Sequence, residues 1–172
     1  RENVGLLDMS AFAKCRIKGP KAEEFLDKLV ANKLPKKIGR INLCHALNTK
    51  GGVHSEFTIM REAEDSFYLV SAGAFQRLDH DWILRWMPSD GSVQFENLTN
   101  SMGVLVVSGP KARDLMTKVS KDDFSNENFS LDVSFADPRV IELVTRDPFF
   151  IWIESAAQSS TSILFTLVDS FA

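Results

Sequence analysis

Two segments 90 residues apart, IKGPKAEEFLDKL (Ile17 to Leu29) and VSGPKARDLMTKV (Val107 to Val119), repeat one pattern of strand, Gly-Pro break, Lys-Ala and helix. Proline fits the first turn of a helix, where its missing N–H is not needed. After it, Ala22, Phe25, Leu26, Leu29 and Val30 recur at steps of three and four, while Lys21, Glu23, Glu24, Asp27 and Lys28 fill the opposite face. Ala112, Leu115, Met116 and Val119 mark the second helix in the same way. A duplicated strand-GP-helix module is the economical explanation, and it predicts an α+β fold with antiparallel sheets. The first module is expected over residues 1–98, with an incomplete or divergent second module over residues 99–172. Neither Gly-Pro-Lys-Ala segment is a phosphate loop, because the glycine spacing and the Lys-Ser/Thr pair are missing and proline removes a donor that phosphate would need.

Between the repeats, Ile41 to Arg61 (INLCHALNTKGGVHSEFTIMR) has the grammar of a β-hairpin turning through Asn48-Thr49-Lys50-Gly51-Gly52. The expected register sets Asn48 opposite Val53, His45 opposite Glu56 and Leu43 opposite Thr58, with Leu47 across from His54. Alternation then turns Val53, Ser55, Phe57 and Ile59 one way and His54, Glu56, Thr58 and Met60 the other. Glu56 therefore shares a face with His45. That arrangement is either an ion pair on a solvated sheet face or a carboxylate in a cleft that takes or steers a proton.

Elsewhere, Phe12 to Lys18 and Phe67 to Ser71 read as strands, as do Ser92 to Leu98 and the almost wholly apolar Gly103 to Ser108. Gly73 to Met87 reads as an amphipathic helix with Phe75, Leu78, Trp82, Ile83 and Trp86 as core, leaving His80 solvated. Toward the end, Val140 to Thr145 and Phe149 to Ile153 suit strands, and a helix is expected from Thr161.

Composition narrows the function classes. A net charge of -3, with only a short basic cluster from Lys33 to Arg40, argues against a nucleic-acid surface. No apolar run reaches the roughly 18 to 20 residues of a membrane-spanning helix. Cys15 and Cys44 lie far apart without metal or disulfide spacing, which makes two free thiols in a reducing, cytoplasmic setting the expectation. The chain opens at Arg1 directly on structured-looking sequence, as a piece of a longer polypeptide would. No metal site is expected, since His45, His54 and Glu56 do not converge in the expected register. Ser10 and Ser71 lack a recognisable base for nucleophilic catalysis.

RENVGLLDMSAFAKCRIKGPKAEEFLDKL, GRINLCHALNTKGGVHSEFTIM, FYLVSAGAFQRLDHDWI and GVLVVSGPKARDLM, in that order, resemble the folate-binding domain of the glycine cleavage system T-protein (aminomethyltransferase) family, and more specifically the C-terminal region of dimethylglycine and sarcosine dehydrogenases. The resemblance runs from residue 1 to about residue 129. It implies a tetrahydrofolate-binding domain, with its site between the two repeated modules, that transfers a one-carbon unit from an aminomethyl or N-methyl donor to tetrahydrofolate. A flavin amine oxidase domain in the full-length protein would feed it. The family's catalytic aspartate falls on Glu56, whose extra methylene moves the carboxylate by about 1.5 Å, and about 1 Å can cost a factor of 100. Such a carboxylate orients the nucleophilic nitrogen and helps manage the proton. The resemblance further implies cofactor contacts at Phe12, His45, Ser71 and Ala72; an asparagine often stands in the family where Ala72 stands here, a departure that weakens transfer more than binding.

After residue 129 the resemblance stops. The family's Gly-Glu-Leu-Gly-like segment, whose glutamate grips the pterin, has no counterpart, and neither Glu142 nor Glu154 replaces it on spacing. A shifted reading frame and a divergent C-terminal end are the two explanations, either of which leaves the C-terminus truncated or altered and its apolar residues available for self-association. The alternative function is then a non-catalytic folate-binding or protein-interaction fragment of a larger enzyme.

Overall fold

The computed structural model describes residues 2–119, 121, 123–124, 134–135, 149–156 and 160–168. They form two five-stranded antiparallel sheets, each belonging to one compact unit: residues 11–100, and residues 1–10 with 101–172. The first unit contains β2 (Ala13–Lys18), α1 (Ala22–Leu29), β3 (Ile41–Leu47), β4 (Val53–Ala63), β5 (Ser66–Ser71), α2 (Gln76–Trp86) and β6 (Gln94–Asn97), with sheet order β3-β4-β5-β2-β6. The other contains β1 (Gly5–Asp8), β7 (Met102–Ser108), α3 (Ala112–Val119), β8 (Ser134–Phe135), β9 (Phe149–Ala156) and β10 (Ser160–Val168), in the order β1-β7-β10-β9-β8.

The duplication is visible in the backbone. Gly19 and Gly109 adopt φ of 128° and 130°, which L side chains rarely reach. Each lies against a carbonyl: a Cβ added at Gly19 would stand 2.4 Å from the oxygen of Ser92, and one at Gly109 2.2 Å from that of Asn3. Ser92 leads into β6, which pairs with β2, and Asn3 leads into β1, which pairs with β7. The registers correspond, with Arg16 opposite Glu96 in one unit and Val106 opposite Leu7 in the other. Thus each repeat, strand-strand-helix, gives its leading strand to the other repeat's sheet. β1, at the head of the first repeat, belongs for this reason to the second unit.

A second echo is chemical. The Asp8 carboxylate accepts the Ser10 N–H (2.8 Å), and the Ser10 hydroxyl accepts the Val104 N–H (3.0 Å). In the other unit the Asn97 side-chain oxygen accepts the Thr99 N–H (3.0 Å), and the Thr99 hydroxyl accepts the Lys14 N–H (3.1 Å). An Asx turn followed by a hydroxyl satisfies an N–H near the start of the strand next to the edge in both places.

In the unit of residues 11–100 the core lies between the sheet and its helices. Cys15, Ile17, Cys44, Ala46, Phe57, Ile59, Phe67 and Leu69 from the strands meet Ala22, Phe25, Leu26 and Leu29 of α1 and Ile83 of α2. The Arg61 guanidinium is almost fully buried and ties the 35–36 loop to this body. It donates to the carbonyls of Lys36 (3.2 Å) and Glu64 (2.8 Å), pairs with Glu23 and lies over the Phe67 ring.

Several expectations are corrected. Thr161 opens no helix: Ser160–Val168 is a strand between β7 and β9, because its apolar and β-branched residues complete both neighbours' ladders. Val140 to Thr145 lies outside the described residues. The helix read as one element is a single 3₁₀ turn, Gly73–Phe75, followed by α2, and only Ile83 of its expected core set is fully buried. Phe75, Leu78 and Trp86 are exposed, while Asp79 is buried. Nor is His80 simply solvated, since its ring packs edge-on against Phe95 and burial lowers its pKa.

Because the glycine-carbonyl contacts hold each edge strand in place, Gly19→Ala and Gly109→Ala are each expected to cost about 2 kcal/mol or more, through both strained φ and a blocked carbonyl. Gly51, with φ of 79° and open space around it, serves as the control. Its alanine variant should cost only about 1 kcal/mol. Urea unfolding of the three variants measures the order.

Candidate functional site

β4 presents two different surfaces. Ser55, Phe57 and Ile59 face the helices and are buried. Glu56 faces the other way, with its side chain 61% exposed, and its Oε2 meets His45 Nε2 at 2.9 Å. The expected opposition of His45 to Glu56 and of Leu43 to Thr58 is present. An ion pair this exposed contributes little to stability, on the order of 0 to 1 kcal/mol, so its interest is chemical.

The hairpin's tip departs from the expected register. A bulge between Ala46 and Leu47 brings Leu47, rather than Asn48, opposite Val53 and leaves His54 as the extra residue. Asn48 instead organises the turn: its side-chain oxygen accepts the N–H groups of Lys50 (2.9 Å) and Gly52 (3.1 Å), and its own N–H reaches the Gly52 carbonyl (2.9 Å). The bulge also turns His54 off the Glu56 face, so that its ring stacks on Trp82 of α2 with centroids 4.0 Å apart. His54 therefore cannot join His45 and Glu56 around one ligand.

Register places other site residues beside Glu56. Leu43, Thr58, Val70 and Lys14 form one cross-strand row over β3, β4, β5 and β2. One alternation step beyond that row stand His45, Glu56, Ala72 and Phe12, at the same end of the sheet. Glu56 and Phe12 are separated by two strand spacings, roughly 10 Å. Gly73 closes this end, because a Cβ there would stand 1.7 Å from the Ala11 carbonyl oxygen, so only glycine lets the β5 exit pass the segment that carries Phe12. Lys14 Nζ donates to the Phe12 carbonyl (2.8 Å) and adds a second tie.

Of the residues singled out in the sequence, His45 and Glu56 are in contact, and Ala72 and Phe12 share their end of the sheet. Ser71 is not with them, since it is buried and, next to Val70 in an alternating strand, faces the helices. Thr58, Val70 and Lys14, which line the adjoining row, were missed. Their signal was available in the two-residue spacing from Glu56, Ala72 and Phe12. Ser55 and Asp79 were missed as well: both are buried, and the Ser55 hydroxyl donates to Asp79 Oδ1 at 2.6 Å. Cys15 and Cys44 are free thiols, and burial pushes both up, Cys44 to about 11, which leaves neither as a ready nucleophile.

Comparison with known proteins gives consistent matches. The family model described as "GCVT N-terminal domain" matches residues 1–142. Mitochondrial dimethylglycine dehydrogenase of Rattus norvegicus is 35% identical over 129 residues, which is 74% of this chain and 15% of that protein. The Homo sapiens protein of the same name is also 35% identical, with the same coverage. The chain thus spans a small part of the length of these relatives. Among solved structures, the glycine cleavage system aminomethyltransferase T from Bartonella henselae superposes with a TM-score of 0.76 at 21% identity, covering 96% of this chain and 42% of that one. A heterotetrameric sarcosine oxidase from Corynebacterium sp. U-96 gives a TM-score of 0.64 at 16% identity, covering 94% and 74%. At these identities the structural likeness speaks for the fold, which extends well past the point where the sequence resemblance ends.

The contact between Gly73 and Ala11 makes a direct test of how this end of the sheet is built. Gly73→Ala should displace the segment carrying Phe12 and lower stability by about 2 kcal/mol or more, since the nearest atom is backbone. Urea unfolding reads the second effect, and chemical-shift changes at Phe12 and Ala72 read the first.

Proposed function

Because the chain belongs to the GCVT N-terminal domain family, we propose that it binds a reduced folate at the Glu56 end of the sheet formed by residues 11–100 and serves transfer of a one-carbon unit from an aminomethyl or N-methyl donor. The observation that carries this reading is Glu56. It is a solvent-reachable carboxylate on a strand whose neighbours are otherwise committed to the core, held by His45 and set at the same end of the sheet as Phe12.

The residues present suit a flat heterocycle with polar edges. Phe12 is half-buried and offers an aromatic surface, the half-buried Thr58 offers a hydroxyl, and Glu56 and His45 offer a carboxylate acceptor and an imidazole. Ala72 is exposed and leaves room where a larger side chain would stand. When bound, tetrahydrofolate supplies nucleophilic nitrogens that accept a one-carbon unit. This chain's part is to orient and to handle charge. One oxygen of Glu56 is engaged by His45, and its other oxygen is free to accept a hydrogen bond from an amine, which directs the lone pair of that amine outward. The same negative charge stabilises cationic character at a neighbouring amine carbon. His45 narrows the directions open to the longer glutamate side chain through their 2.9 Å contact.

The amine donor, and a flavin amine oxidase domain that would produce the reactive one-carbon group, belong to the same proposal. The chain matches 15% of the length of dimethylglycine dehydrogenase, and the sarcosine oxidase of similar fold is a heterotetramer. Both likenesses support a module that works as part of a larger assembly.

Titration with tetrahydrofolate, followed by intrinsic fluorescence and melting temperature, is expected to show saturable binding. Absence of any change at millimolar ligand would remove the reading altogether. For Glu56→Gln the expected result is near-normal folate affinity with methylene-tetrahydrofolate formation lowered by about 100-fold, and equal rates would leave Glu56 without a catalytic part.

A further inference from the structure

The Glu56 carboxylate is exposed, but what fixes its direction lies on the other side of the sheet. Ser55 and Asp79 are 6% and 2% exposed, and the Ser55 hydroxyl donates to Asp79 Oδ1 at 2.6 Å. Ser55 is the chain neighbour of Glu56, on the opposite face of β4. We propose that Asp79 is a positioning residue for Glu56: by gripping Ser55 it locks the register of β4 beside its bulge and so keeps the Glu56 carboxylate on the face away from the helices, opposite His45.

Three observations support the assignment. First, the lock stands where the strand is weakest. The bulge at His54 interrupts the ladder one residue before Ser55, and the tip beyond it carries exposed Leu47 and Val53, with no burial to hold it. A strand that slips by one residue exchanges its two faces, so a shifted bulge would turn Glu56 toward the helices and Ser55 outward. Second, the bond is directional where packing is not. Phe57 and Ile59 favour burial, yet an apolar contact accepts many small displacements, whereas a hydroxyl donating to a buried carboxylate at 2.6 Å accepts few. A buried polar pair also adds little net stability over a well-packed apolar pair, so its distinctive contribution is geometry. Third, Asp79 lies in the first turn of α2, where the helix dipole favours a carboxylate. The rest of α2 is anchored by Ile83 in the core, and Trp82 of the same helix stacks on His54, so the bulged residue and its neighbour are both fastened to one rigid element.

The proposal rests on Glu56 being the functional carboxylate, and its test separates the two ideas. The variants are Ser55→Ala, Asp79→Asn and the double variant Ser55→Ala with Asp79→Leu, which leaves no buried charge if the first fails to fold. In each, an NMR measurement of cross-strand contacts between His45 and Glu56 reports register without any ligand. Folate affinity and the rate of methylene-tetrahydrofolate formation report function. Ser55→Ala and the double variant are expected to lose the His45 to Glu56 contacts and to lower the rate by about 10-fold or more while folate affinity changes by less than about 3-fold. Asp79→Asn keeps an acceptor for Ser55 and should retain the contacts and most of the rate.

Contacts preserved in the double variant overturn the proposal, as do lost contacts with an unchanged rate, or an Asp79→Asn variant as impaired as Ser55→Ala. If the unsubstituted chain neither binds nor turns over folate, the functional reading falls, and the ligand-free contacts alone decide whether Asp79 sets the register.

Discussion

A glycine pressed against a backbone carbonyl organises this protein twice. At Gly19 and Gly109 the chain leaves an interior strand, turns through a positive φ and enters a helix, and both times the space a Cβ would need is taken by the carbonyl that introduces an edge strand. The contact couples three things that local propensity alone would leave separate: where the strand stops, where the helix starts and which strand closes the sheet's edge. Proline at the next position sets φ for the helix and makes the break abrupt. The edge strand in each unit comes from the other repeat, so the duplication did not yield two self-contained beads. Neither repeat completes its sheet from its own residues, since each sheet takes its edge strand from the other repeat.

Within the unit of residues 11–100, a single strand carries both buried core residues and the exposed Glu56. β4 gives Phe57 and Ile59 to the core and Glu56 and Thr58 to the opposite face, and alternation is what allows it. Burial of residues such as Phe57 is worth roughly 1.5 to 3 kcal/mol each, far more than the exposed His45–Glu56 pair. Register is therefore set by the buried face, and the Glu56 carboxylate inherits its position from it. The bulge at His54 is where this inheritance could fail nearest to Glu56, and it lies directly beside Ser55; the other irregularity of β4, between Arg61 and Ala63, lies farther along the strand.

Most of this was legible in the sequence wherever one periodicity governed. The Gly-Pro-Lys-Ala repeat announced the duplicated strand-helix units, and the two glycines after Asn48 announced the hairpin and the opposition of His45 to Glu56. Two kinds of feature were not legible. One was long-range pairing: nothing local in Gly5–Asp8 says that it will pair with Met102–Ser108, and Thr161 onward was read as a helix because its strand character depends on neighbours over 50 residues away in β7. The other was polar burial. Asp79 fits a helix surface by pattern and was passed over, yet it lies inside because Ser55 supplies a donor there. The bulge likewise has no signature in the residues around His54, and it moved that side chain to the far face. The Asp8-Met9-Ser10 and Asn97-Leu98-Thr99 turns were readable in principle, being chemically alike, but they share no identical residue.

The identity of residue 56 sharpens what the fold must supply. A glutamate reaches farther than an aspartate by one methylene, and holding its extra torsion fixed costs entropy; the full side chain can lose about 1.5 to 2 kcal/mol on immobilisation. The bond to His45 repays part of that, since an exposed pair of this kind contributes at most about 1 kcal/mol. A side chain so held still samples more than one direction, and about 1 Å of displacement is enough to change a reaction rate by a factor of 100. The precision has to come from the backbone beneath the side chain. On this strand the backbone is fastened on one side of Glu56 by the packing of Phe57 and on the other by the hydrogen bond from Ser55 to Asp79, so the longer carboxylate depends on the polar contact behind the sheet more than a shorter one would.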